Sequence, residues 1–343
     1  MAWYLRLSKF LIDQGYSRGN MDTTFFIKRQ GKHNFLVQVY VNDIIFGSAN
    51  MQLVKGFSKL MQGEFEISFI WELNYFLGLQ IKKLNEGTFV CQTKYCNELL
   101  KIFGMEDAKS IDTQIPTNAN WERNENGKNV DVKNSRGMIG SLIYLTTSRM
   151  NVMFSVCMCA RYQLTPKESH LKVVKCILRY LHGDSKYALW YSKGSDYNLV
   201  GYINSNFSGC KSDRKSTSGT CHMFSNSFVS WHCKKHVSVA LSTVEAEYIA
   251  AGSCCAQFFW LKQQLFDFDI ELQHIPIMCD ITSAINLTKN LVLHSCSKHI
   301  EIRHHFLRDH VEKRDIVFEH VDSKNQLANI FTKPLATGPF FNI

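Results

Sequence analysis

No apolar run in this chain approaches the ~18–20 residues that a bilayer-crossing helix requires, so no membrane span is expected. Residues 1–15 mix Trp3, Leu7, Phe10 and Leu11 with Arg6, Lys9 and Asp13. That is an amphipathic helix pattern, without the apolar stretch of a secretory leader. There are 12 cysteines but no Cys-x-x-Cys pair. Cys157/Cys159 and Cys254/Cys255 have spacings foreign to zinc knuckles, while Cys176, Cys254 and Cys279 sit in apolar surroundings. Free, mostly buried thiols in a reducing intracellular compartment, cytoplasmic or nuclear, are the expectation.

What is present describes an ordinary folded protein. The 343 residues are 45% hydrophobic and 20% charged, enough for two domains with separate cores. Lys and Arg total 39 against 30 acidic residues, a net charge of +9. The surplus suits a phosphate backbone as partner, although many enzymes without a nucleic-acid ligand are as basic.

Local patterns order the chain. Phe35–Val41 alternates as a strand, breaks at Asn42-Asp43 and resumes at Ile44–Gly47, a hairpin signature. A helix is expected over Gln52–Met61, a strand pair around Asn85-Glu86-Gly87, and a helix near Thr93–Phe103. From Asp107 to Arg136 the composition turns polar and reads as an extended connector. Residues 137–182 look helical, with a helix near Thr165–Ser169 carrying Leu171, Val174, Ile177, Leu178 and Leu181. Strands follow at Leu199–Asn204, Gly219–Phe224 and Phe228–His232. Ser242-Thr-Val-Glu245 is a capping box opening a long helix to about Asp267. A fourth strand, Ile275–Cys279, ends at Asp280; short helices over 281–289 and 298–313 lead to a fifth, Ile316–Val321. A second capping box, Ser323-Lys-Asn-Gln326, should start a final helix.

Two-metal phosphodiester chemistry needs carboxylates converging from several elements. Glu247, early in the long helix, and Asp280, at a strand end, are candidates, and each also has a plain reading, as first-turn acid and as helix N-cap. Asn204, ending the first strand of this region, and Asn329, in the final helix, stand where partners should be, but they are amides.

Seven segments in order carry a resemblance. They are Ala2-Trp-Tyr-Leu-Arg-Leu7, Val39-Tyr-Val-Asn-Asp-Ile-Ile-Phe-Gly-Ser48, Tyr75-Phe-Leu-Gly-Leu-Gln-Ile81, Met138-Ile-Gly-Ser-Leu-Ile-Tyr-Leu145, Asp213-Arg-Lys-Ser-Thr-Ser-Gly219, Leu241-Ser-Thr-Val-Glu-Ala-Glu-Tyr248 and Ile330-Phe-Thr-Lys-Pro-Leu335. From Ala2 to Leu335 the chain resembles the reverse transcriptase and ribonuclease H region of copia-type LTR retrotransposon Pol polyproteins. The resemblance implies an α/β and α+β architecture: a reverse transcriptase palm/thumb remnant (1–106), a polar connector (107–136), a helical connection (137–197), a ribonuclease H-like domain with a five-stranded mixed sheet (198–335) and a tail (336–343).

The family's Tyr-Val-Asp-Asp polymerase motif reads Tyr40-Val41-Asn42-Asp43 here. A further family aspartate lies upstream of the matched region, so Asp43 is the one polymerase carboxylate expected. In the ribonuclease H part the catalytic acids fall on Asn204, Glu247, Asp280 and Asn329, two of them amides; Asn206 replaces another family aspartate. Residual Mg²⁺ sites are therefore expected only at Asp43, Glu247 and Asp280, and weakly; neither polymerase nor hydrolytic activity is expected. Asp→Asn at Asn42, Asn204, Asn206 and Asn329, with Asn151, fits G-to-A decay of a silenced element. The partner implied is an RNA–DNA hybrid or other nucleic acid, contacted by Arg214, Lys215, Arg303 and Arg308. Six histidines (His294, His299, His304, His305, His310, His320) cluster near Cys296 but lack a following Cys pair, and read as a basic face, not a zinc site. Two classes stay open: a polymerase/ribonuclease H fragment by descent, and a non-catalytic nucleic-acid-binding module or functionless product.

Overall fold

The computed structural model describes residues 2–115, 124, 126–184, 187–194, 196–289 and 301–334, with side chains of 289 and 301–304 left aside. The chain forms two compact units, Met1–Leu73 with Trp260–Glu271, and Asn74–Phe259 with Leu272–Ile343.

In the first unit, helix α1 (Ala2–Asp13) and helix α2 (Met51–Glu64) accompany a meander of β1 (Ser17–Arg18), β2 (Phe25–Gln30), β3 (His33–Tyr40) and β4 (Asp43–Ser48). Strict alternation puts Phe35, Val37 and Val39 of β3 on one buried face. Leu7 and Leu11 of α1, and Phe57 and Met61 of α2, are spaced at i, i+4 and close on that face. Asn50 starts α2 by accepting the Gln52 N–H at 2.9 Å. Asp267 and Asp269 belong to this unit too. The Asp267 carboxylate accepts the Asn20 and Met21 backbone N–H groups and the Asn20 amide, all within 3.2 Å. Asp269 holds Arg29 through both oxygens.

The second unit contains two sheets. In the smaller, β5 (Tyr75–Phe76), β6 (Leu79–Lys83) and β7 (Gly87–Cys91) are joined at β7 by the distant β8 (Ala188–Ser192). Helices α3 (Thr93–Ile102), α4 (Val132–Leu145), α5 (Met153–Ala160) and α6 (Glu168–Gly183) enclose a core that includes Leu99, Leu142, Val156, Ile177 and Leu181. Asp131 caps α4, so the polar connector ends in a helix start several residues before the expected boundary at Arg136.

The larger sheet has the order β11-β10-β9-β12-β13, from β9 (Leu199–Asn206), β10 (Thr217–Phe224), β11 (Ser227–Lys235), β12 (Ile275–Cys279) and β13 (Ile316–His320). The first three strands pair antiparallel, and β12 runs parallel to both β9 and β13. This is the five-stranded mixed sheet that the resemblance implies. Helix α7 (Thr243–Asp267) opens as the first capping box requires, Glu245 N–H donating to Ser242 Oγ at 3.1 Å, although the Glu245 carboxylate reaches the Leu241 N–H instead of that of Ser242. Helices α8 (Thr282–Lys289) and α9 (Glu301–Glu312) lie between β12 and β13 in sequence.

The second capping box does not form. Gln326 caps a short 3-10 helix, Leu327–Phe331, while Ser323 turns its hydroxyl to Asp280. That 3-10 helix lies directly on β10 at Gly219, where an added Cβ would meet Phe331 Cβ at 2.6 Å and the Ala328 carbonyl at 2.8 Å. Gly219→Ala is accordingly expected to destabilise by about 1–3 kcal/mol, because backbone must move to admit one methyl. Urea denaturation checks this; an unchanged midpoint refutes the close-packing reading.

Candidate functional site

Antiparallel β9–β10 and parallel β9–β12 pairing bring the C-terminal ends of β9 and β12 to one end of the sheet. Asn204 lies on β9, two residues before the strand ends. Its Nδ2 donates to Asn329 Oδ1 at 2.5 Å, and Asn329 Nδ2 in turn donates to the Ser323 carbonyl at 2.9 Å. Asp280, just past β12, accepts the Ser323 hydroxyl at 2.8 Å, so it does not act as the helix N-cap considered from sequence. Glu247 is in the second turn of α7, not the first, and is 1% exposed. One of its oxygens accepts the Ser205 N–H at 2.6 Å, and the other is buried without a partner.

Burial pushes the Glu247 carboxyl up to about 8; the Ser205 N–H opposes the rise and the charge of Asp280 adds to it. Cys279, raised mainly by burial to about 12, feels both Glu247 and Asp280. The four positions singled out from sequence thus converge, together with Ser205 and Ser323, which sequence reasoning missed. Ser205 acts through its backbone and leaves no residue signature. Ser323 lay inside a pattern that pointed to a cap. Asn206, beside them, donates to the Thr332 carbonyl at 3.2 Å.

This pocket holds two carboxyl groups, Glu247 and Asp280, and two amides bonded to each other. Its side-chain donors are turned inward on their neighbours. Among the described residues, no three His, Cys, Asp or Glu side chains are arranged to hold an ion.

In the first unit, Tyr40 pairs with Asp43 across a two-residue turn of Val41 and Asn42. Val41 takes a left-handed φ of 50°, strained for a β-branched residue, and Asn42 and Asp43 are both exposed at the hairpin tip.

The basic candidates are scattered. Asp213-Arg214-Lys215 lies in the turn segment before β10, with Arg214 at φ 56°. Burial alone would raise Asp213, yet hydrogen bonds from Lys235 and Cys210 hold its carboxyl down at about 2, and the Lys235 contact is 2.6 Å. Arg308, on α9, pairs with Glu312 at 3.0 Å. The side chain of Arg303 lies outside the described residues, as do those of His294, Cys296, His299 and His304. His310 contacts Asp315 at 2.9 Å.

A mixed sheet with this strand order, an acid-and-amide cluster at its end and a separate palm-like hairpin define a reverse transcriptase/ribonuclease H architecture. Residues 1–118 match the family described as reverse transcriptase (RNA-dependent DNA polymerase). The Retrovirus-related Pol polyproteins from transposons RE2 and RE1 of Arabidopsis thaliana are 31% and 32% identical to 99% of the chain. The chain spans about a quarter of their length, 24% and 23%. The foamy viral protease-reverse transcriptase, solved in complex with RNA/DNA hybrid, shares the fold over 84% of this chain and 36% of its own, at a TM-score of 0.51 and 12% identity. The chain belongs to the retrotransposon Pol polyprotein family, as a fragment with a reverse transcriptase match over residues 1–118 and a ribonuclease H-like mixed sheet downstream of it.

Proposed function

We propose that this fragment keeps the architecture of its family but does not hydrolyse RNA–DNA hybrids or extend DNA. The observation that carries the reading is the Asn204–Asn329 hydrogen bond. Two amides satisfy each other where an active site of this type needs charge. Beside them only two carboxyl groups, Glu247 and Asp280, stand where four acids are expected, and burial pushes Glu247 up to about 8. That donor set does not fit a pair of Mg²⁺ ions, which require several anionic oxygens converging on them. Asp43 with Asn42 is equally short of charge for polymerase chemistry.

On this reading residues 1–106 are the palm/thumb remnant and 198–335 the ribonuclease H-like domain, with the connector and helical connection between them. The residual partner is a nucleic-acid backbone, a class supported by the +9 charge and the exposed turn at Arg214. A reducing cytoplasmic or nuclear setting is supported by the free thiols of the described cysteines.

One experiment reads both halves of the proposal. Purified protein mixed with a labelled RNA–DNA hybrid and Mg²⁺ is expected to shift the hybrid at low salt, to release it steeply as salt rises, and to leave it uncut. Cleavage abolished by Glu247→Gln would overturn the catalytic half, and binding indifferent to salt the phosphate half.

A further inference from the structure

The C-terminal end of helix α7 carries the wrong charge for its position. The helix dipole leaves that end negative, which favours Lys, Arg or His there. The last turn of α7 has no base; its final residue is Asp267, and Asp269 follows two residues on. The helix closes in a left-handed cap, with Asp269 at φ 62°, where glycine is usual. The Asp269 N–H donates to the Phe266 carbonyl and the Ile270 N–H to that of Leu265, both at 3.0 Å. Two acids at a negative pole, one of them in a glycine conformation, are unfavourable unless something opposite them offsets both costs.

The offset comes from donors of the first unit, to which Trp260–Glu271 belongs. Arg29 and Asn34 pair across β2 and β3, so their side chains project side by side from one face. The Arg29 guanidinium gives Nε to one Asp269 oxygen at 3.0 Å and Nη2 to the other at 2.6 Å. Asn34 Nδ2 adds a third bond at 3.2 Å. Two successive backbone N–H groups, of Asn20 and Met21, converge on Asp267 Oδ2 at 3.1 and 3.2 Å. Gly19 leaves room for that approach, since a Cβ there would stand 3.1 Å from the same oxygen. A planar guanidinium fork and paired backbone N–H groups bind phosphate as well as carboxylate.

On the reading that the partner is a nucleic-acid backbone, we propose that Arg29 and Asn34 form a phosphate site for it, masked here by the Asp269 carboxylate. Asp267 is 6% exposed and is the anchor, with Phe268 packed on Phe25 at 4.6 Å between ring centroids. Arg29 and Asp269 are about half exposed, at 49% and 48%. An ion pair so open to water is weakly held, so a backbone phosphate exchanges for the carboxylate while the helix end stays in place. Lys32, in the turn of the same hairpin, is exposed and adds a cation.

Unmasking tests the site in the full chain. Asp269→Gly removes the carboxylate and suits the left-handed cap, so its melting temperature should stay within a few degrees of the parent's. It is expected to bind a labelled RNA–DNA hybrid about tenfold more tightly at low salt. The slope of log affinity against log salt should steepen by about one, as for one added phosphate contact. Asp269→Asn, also neutral and tolerant of that φ, should follow it. Arg29→Ala should change little in the parent, where Arg29 is masked, and should remove the whole gain in the Asp269→Gly background. Asp13→Asn, which discharges another exposed acid of the same unit, should give no comparable gain. A gain that survives Arg29→Ala, a gain that Asp13→Asn reproduces, or no gain while the parent still shifts the hybrid would each overturn the masked site alone. A hybrid left unshifted by parent and variants alike would sink it together with the nucleic-acid partner.

Discussion

Restoring both carboxylates, Asn204→Asp with Asn329→Asp, is expected to raise Mg²⁺-dependent cleavage of an RNA–DNA hybrid by about three powers of ten or more over the parent chain. Each change adds a unit of negative charge to a pocket that already holds Glu247 and Asp280, and one preorganised electrostatic group is worth roughly 10²–10³ in rate. The structure also predicts a cost in the absence of metal. Asn204 and Asn329 now meet as donor and acceptor at 2.5 Å; two carboxylates there repel unless a proton or cation lies between them. The double variant should therefore melt below the parent in chelator and recover in Mg²⁺, whereas the parent should be indifferent to both. A variant that folds, gains metal-dependent stability and still leaves the hybrid intact would refute the proposal that these two amides silence the site.

The second large effect concerns pH. Burial pushes the Glu247 carboxyl up to about 8, above the 4.5 of a free glutamate. A raised folded value means that the native state holds the proton more tightly than the unfolded chain. The resulting stability is complete below about pH 4.5 and is lost as pH rises through about 8, where the buried carboxyl must ionise with one oxygen lacking a partner. By linkage the loss is of order 5 kcal/mol across that window. Glu247→Gln cannot ionise and should escape it, so parent and variant should be closest near pH 5 and furthest apart near pH 9 in urea denaturation. Parallel pH profiles for the two proteins would refute the assignment.

The amides are not equivalent, and that bears on how they arose. Asn151 Nδ2 donates to both the Tyr180 hydroxyl and Asp184 Oδ2 at 3.0 Å, beside the fully buried Arg149. An aspartate at 151 would set a second carboxylate against Asp184, whose own carboxyl burial already raises. The amide therefore suits this network better than the acid, although its Oδ1 is left without a partner. Asn204 and Asn329 likewise complement each other. Random G-to-A decay carries no requirement that the new amides find acceptors, so these pairings sit more easily with amides accommodated by a folded chain.

Sequence alone determined the elements and the family. Alternation of Phe35, Val37 and Val39, the break at Asn42-Asp43 and the Ser242–Glu245 box are short-range signals, set by side-chain period and backbone capping, and they led directly to the hairpin, the long helix and the five-strand order. The identities at 204, 247, 280 and 329 likewise established that half of the expected acids are amides. Only the tertiary structure decided what those residues do to one another. That Asn204 bonds Asn329, that Ser323 serves Asp280 instead of a helix start, and that burial pushes the Glu247 carboxyl up to about 8 all depend on contacts between segments tens of residues apart. Desolvation and hydrogen bonding depend on which groups close packing brings within about 3 Å of one another, a quantity that no local pattern encodes.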